Sequence, residues 1–78
     1  SHEYEYSVNG TAKPTLTADG TALLECKNCH HRVPVILPKA VIGVNAVIIR
    51  ADASGAPSVI KYSCVTEYGV KIEFEITL

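Results

Sequence analysis

Cys26-Lys27-Asn28-Cys29, followed directly by His30 and His31, is the stretch of this chain best equipped for chemistry. Thiolate and imidazole are good zinc ligands, and a two-residue spacer lets both sulfurs reach one tetrahedral ion from a tight turn. A structural site needs four donors, and Cys26 and Cys29 supply two. Neighbours in a strand diverge, so His30 and His31 do not easily both join them. The candidate ligand set is therefore Cys26, Cys29, His30 and His2, with Cys64 as another distant donor. There is no second Cys-x-x-Cys, which makes the pattern half of a zinc ribbon. The competing reading is a tight hairpin whose thiols pack or oxidise. It ranks first here, so the expectation is no cofactor, with zinc as the alternative.

Catalysis has less to stand on. Redox Cys-x-x-Cys motifs sit at a helix N-terminus, where the dipole lowers a thiol pKa, whereas strand-like sequence flanks this motif on both sides. A cysteine nucleophile paired with His30 or His31 lacks a nameable oxyanion partner or orienting carboxylate. The expectation is a chain that is not an enzyme. Cys64 falls mid-strand, where a buried cysteine behaves as a small hydrophobe. Tyr4, Tyr6, Tyr62 and Tyr68 have the types to stack on sugars or bases, but half-buried strand positions account for them as well.

The chain has 78 residues, enough for one small domain, with 7 basic against 8 acidic residues and a formal net charge of -1. Such a core is marginal, and modules of this size lean on a metal, a disulfide or a neighbour. The charge balance gives no electrostatic footprint for nucleic acid. The longest uncharged run, residues 40–49, is too short to span a bilayer. Three cysteines argue against a disulfide framework. Residues 1–78 read as a single module, a piece of a larger multidomain protein.

Turn signals recur about every ten residues: Asn9-Gly10, Asp19-Gly20, Lys27-Asn28, Pro38, Ser54-Gly55-Ala56-Pro57 and Tyr68-Gly69. Short runs rich in Val, Ile, Thr and Tyr lie between them, as in antiparallel sandwiches and barrels. Val70, Ile72, Phe74, Ile76 and Leu78 alternate with polar residues, which predicts a strand with one buried face. Ile60, Tyr62, Cys64 and Thr66 form one face of the strand before it, and Tyr68-Gly69 joins the two. Tyr4, Tyr6 and Val8 share a face of the first strand. Asp19-Gly20 predicts a type I′ hairpin linking residues 15–18 to 21–26, with positive φ at the turn. Pro34 removes a ladder donor and places residues 32–37 at a sheet edge. A further strand is expected at 47–51. Residues 39–78 are expected to supply most of the core.

The first half also resembles a known repeat. His2-Glu3-Tyr4, then Pro14-Thr15-Leu16-Thr17-Ala18-Asp19-Gly20, then Cys26-Lys27-Asn28-Cys29, then Ile36-Leu37-Pro38 follow the order of a Cys-x-x-Cys-containing repeat module. That repeat occurs in large secreted and cell-wall-attached proteins of Gram-positive gut bacteria. The match covers roughly residues 2–38. The repeat often carries a cysteine where this chain has Leu16, and glycine where it has His30. The repeat's closing glycine-histidine is missing after Pro38. The resemblance implies an ancillary extracellular module.

Together these features predict an all-β, immunoglobulin-like antiparallel β-sandwich of about six or seven strands. Its expected role is non-catalytic: a structural or adhesive module at a cell surface, spacing or presenting other domains. Expected partners are neighbouring domains of the same protein and a host protein or glycan, with no nucleic acid and no membrane insertion. A virion surface is the alternative home. The alternative function is a small zinc-binding module that recognises protein or nucleic acid through the Cys26/Cys29 knuckle.

Overall fold

The structure, a computed structural model, describes residues 2–78; Ser1 and the side chain of Val8 lie outside the description. The described residues form six strands: β1 (Tyr4–Ala12), β2 (Gly20–Cys26), β3 (Arg32–Leu37), β4 (Ala46–Ala51), β5 (Pro57–Val65) and β6 (Lys71–Thr77). They form two three-stranded antiparallel sheets, ordered β1-β2-β3 and β4-β5-β6. The all-β, two-sheet expectation is met. Each sheet is a meander of consecutive strands. Neither contains the crossed order of a Greek key, in which a returning strand lies beside the first.

Alternation decides what each sheet buries. In β2, Ala22, Leu24 and Cys26 face inward and are almost fully buried, as are Val35 and Leu37 in β3. The facing sheet contributes Ala46, Ile60, Tyr62, Ile72 and Ile76, with Cys64, Val70 and Phe74 packed at the margin. Successive strand side chains point to opposite faces, so Lys61, Lys71 and Glu73 occupy the solvent face and pair loosely with one another. The core is thus shared between the halves rather than concentrated in residues 39–78. Leu24 and Leu37 are as buried as Ile60 and Ile72. Ala22, Leu24, Val35 and Leu37 of β2 and β3 form the first-half side of the apolar layer.

Contacts from Tyr62, Lys13 and Tyr4 tie the layers together. The Tyr62 hydroxyl donates to the Pro38 carbonyl at 2.8 Å, and within its own sheet the Tyr62 ring stacks on its β6 partner Phe74 with centroids 5.1 Å apart. Lys13, just beyond β1, donates from Nζ to the Glu75 carbonyl at 2.8 Å and lies over the Phe74 ring. At the other end Tyr4 meets Tyr68 edge-on. Pro34 lies in β3, an edge strand, where its missing N–H is harmless.

The Asp19-Gly20 hairpin is not formed. Residues 13–19 make no strand. Instead Thr15 closes its own turn: its N–H donates to the Ala18 carbonyl, and its hydroxyl accepts from the N–H groups of Thr17 and Ala18. Asp19 turns away and accepts the Lys39 N–H through Oδ1 at 2.8 Å. Gly20 opens β2 and is not among the positive-φ residues. What requires glycine there is proximity: a Cβ would lie 2.2 Å from the Ala12 carbonyl oxygen and 2.5 Å from the Pro14 nitrogen. Asn9-Gly10, expected as a turn, lies within β1, at a register irregularity between Ser7 and Ala12.

The molecule is elongated, 49 × 20 × 18 Å. Tyr4 and the β2–β3 turn gather near the β5–β6 turn at one end. β6 runs away from that end and closes against the start of β5, where the Leu78 N–H donates to the Ser58 carbonyl.

Candidate metal centre

The Cys-x-x-Cys turn is shaped by main-chain hydrogen bonds before any ligand is considered. The β2–β3 hairpin runs from Cys26 to Arg32. Its closing bonds are Cys26 N–H to the His31 carbonyl at 2.8 Å and His30 N–H to the Cys26 carbonyl at 3.0 Å. His30 takes φ +62° and is the only left-handed non-glycine residue among the described residues. That conformation costs an L-residue about 1–2 kcal/mol.

The turn is docked to the start of β1. Tyr4 pairs with Cys26, and the Lys27 N–H donates to the Glu3 carbonyl at 2.9 Å. This brings His2 over the knuckle, with Nδ1 3.2 Å from the Cys29 sulfur. The donor atoms of His2, Cys26 and Cys29 all lie within 4.8 Å of one another. Zinc with Zn–S near 2.3 Å and Zn–N near 2.0–2.1 Å has tetrahedral edges of about 3.5–3.8 Å. The Cys29–His2 edge is 3.2 Å and the other two are no longer than 4.8 Å, so the donors converge and an ion would draw them closer.

Electrostatics favour charge on the inner thiol. Cys26 is buried, which by itself opposes ionisation. The Cys29 N–H and then the His2 ring hydrogen-bond its sulfur, and the N–H groups of Asn28 and Glu3 add to them. Together they hold its pKa down to about 6. Hydrogen bonds of this kind both orient a thiolate ligand and satisfy its lone pairs. Cys26, Cys29 and Cys64 are all free thiols in the structure.

Two sequence candidates are placed elsewhere. His30 points to Glu25, with Nδ1 3.1 Å from Oε2, while Arg32 Nε donates to Oε1 at 2.8 Å. Arg32 and then His30 hold the Glu25 carboxyl below its ordinary pKa. Since Glu25 alternates with Cys26, this trio lies on the opposite face of β2 from the inner thiol. His30 is therefore not gathered with His2, Cys26 and Cys29. It stands two residues before Arg32 and so shares the face on which Arg32 and Glu25 meet. Cys64 packs at the margin of the core on β5, outside the group. A recess of about 440 Å³ is lined by Ser7, Asn9, Gly10, Leu23, Glu25 and Arg32 on that same outer face and includes neither thiol.

No protein-family model, no curated protein and no solved structure matches the chain.

Proposed function

We propose that this chain is a non-catalytic, zinc-stapled β-module of a larger cell-surface protein. The observation that carries the reading is the convergence of His2, Cys26 and Cys29 within 4.8 Å, with His2 contributed from outside the hairpin. A metal there would tie the segment leading into β1 to the β2–β3 turn. Binding free energy at such a site is folding free energy, which suits a core this small.

A spacing role is supported by shape. β1 begins at the knuckle end, and β6 finishes at the other end of a 49 Å body. Neighbouring domains of the same protein are the proposed partners. The edge strand β4 and the segment before it leave Val44, Val47, Ile48 and Ile49 exposed, an apolar surface suited to such contacts. The alternative, a knuckle that reads protein or nucleic acid, has weaker support. The net charge is -1, and Arg32 beside the turn already engages Glu25.

Zinc-dependent stability tests the reading. With reduced thiols and free zinc at 100 times Kd, the gain is about 2.7 kcal/mol. For a domain of this size that is a rise in Tm of roughly 10–20 °C. Chelation should reverse it, and Cys29→Ser should abolish it. Cys29 is exposed, so that variant should melt like the metal-free wild type. A wild-type Tm indifferent to zinc and chelator would overturn the proposal.

A further inference from the structure

We infer that His31 is the fourth ligand, closing a Cys2His2 site with His2, Cys26 and Cys29. This rests on the zinc reading above and deepens it. Glu25 pairs with Arg32 across the β2–β3 hairpin, so the next position outward sets Cys26 opposite His31. The Cys26 N–H donates to the His31 carbonyl at 2.8 Å, in keeping with that register. Residues directly opposite in an antiparallel pair project to the same face, with Cβ atoms about 4.5–5.5 Å apart. His31 therefore rises beside the Cys26 thiol, on the face that also carries Tyr4, the β1 partner of Cys26.

The His31 ring already lies at the cluster. It stacks on His2 with centroids 5.1 Å apart and planes 24° from parallel, and His2 is the imidazole whose Nδ1 meets Cys29. His31 is exposed, and neither ring nitrogen has a hydrogen-bond partner among the described residues. His31 stands outside the group whose donor atoms converge within 4.8 Å, so its ligation requires a turn about its side-chain torsions, away from the stack on His2. The other nearby donors are committed elsewhere: His30 to Glu25 and Cys64 to the core margin on β5. A closed tetrahedral set of four protein donors is the pattern of structural zinc; three donors and a water mark catalytic sites.

Cobalt(II) titration of the reduced 78-residue chain separates the outcomes. The wild type should show thiolate-to-cobalt charge transfer and intense tetrahedral d–d bands. His31→Ala should weaken binding on the order of 100-fold, one of four shared ligand contributions, and alter the d–d bands. His30→Ala should leave both unchanged. His31→Cys should restore tight binding and raise the charge-transfer intensity by about half, three thiolates replacing two. Circular dichroism of each metal-free variant checks that the fold is kept. His31→Ala indistinguishable from wild type, with charge transfer present in both, overturns the role of His31 and leaves the zinc reading standing. Absence of charge transfer in the wild type overturns both.

Discussion

Gly20→Val is expected to remove a large share of the domain's stability. The new Cβ would lie 2.2 Å from the Ala12 carbonyl oxygen, 2.5 Å from the Pro14 nitrogen and 2.8 Å from the Lys13 carbonyl carbon. All three are main-chain atoms, so no side-chain rotation relieves the contact. Overpacking that forces backbone to move costs about 1–3 kcal/mol and sometimes more, and three simultaneous backbone collisions belong at or beyond the top of that range. A chain of 78 residues, at about 0.05–0.15 kcal/mol per residue, has on the order of 4–12 kcal/mol to lose. Gly55→Ala is the control. Its Cβ meets nothing within 4 Å, but φ is +88°, so only backbone strain of about 1–2 kcal/mol is added. Thermal melts of the two variants should therefore differ sharply. Equal, modest losses would show that crowding at Gly20 is not what requires glycine.

Tyr62→Ala is the second large effect. Tyr62 is the largest fully buried side chain, and it joins the two sheets from the middle of β5. Truncating a buried aromatic costs about 3–5 kcal/mol, again comparable with the whole stability of so small a domain. Tyr62→Phe keeps the ring and its stacking on Phe74 and removes only the bond to the Pro38 carbonyl. That should cost about 1 kcal/mol. Chemical denaturation of both variants checks the ratio. Losses of similar size would mean that the hydroxyl, not the packed ring, holds the layers together.

The contrast between Gly20 and Tyr62 shows which features were legible in the sequence. Strict apolar alternation through Tyr62, Ile72, Phe74 and Ile76 fixed strand, face and partner, because one buried side leaves a single workable register. Asp19-Gly20 carried the strongest short hairpin signal in the chain, and it misled. The dipeptide favours a type I′ turn only if nothing else claims its side chain and backbone. Here Asp19 is claimed by the Lys39 N–H, a partner 20 residues away, and Gly20 by the close approach of residues 12–14. Neither demand has a local signature.

The candidate metal centre was half legible for a related reason. Cys26 and Cys29 announce themselves by spacing, whereas His2 could be named only as one of several distant donors of the right type. Which of two adjacent histidines shares a face with the inner thiol depends on the turn that precedes them. Alternation separates His30 from His31, but the pairing register decides which of them faces the inner thiol. Glu25 pairs with Arg32, so His31 falls opposite Cys26 and His30 on the Glu25 face. The length of the turn sets that register, and nothing in the residue types foretells it.

The central claim, that the knuckle and His2 hold one zinc ion, is tested most directly by counting the metal. Native mass spectrometry of the reduced chain with one equivalent of zinc is the measurement, with Cys26→Ser/Cys29→Ser as its partner. The expected result is one zinc per wild-type chain, with two thiol protons displaced, and none on the double variant. A wild-type chain that remains metal-free, or equal zinc on both proteins, would contradict it.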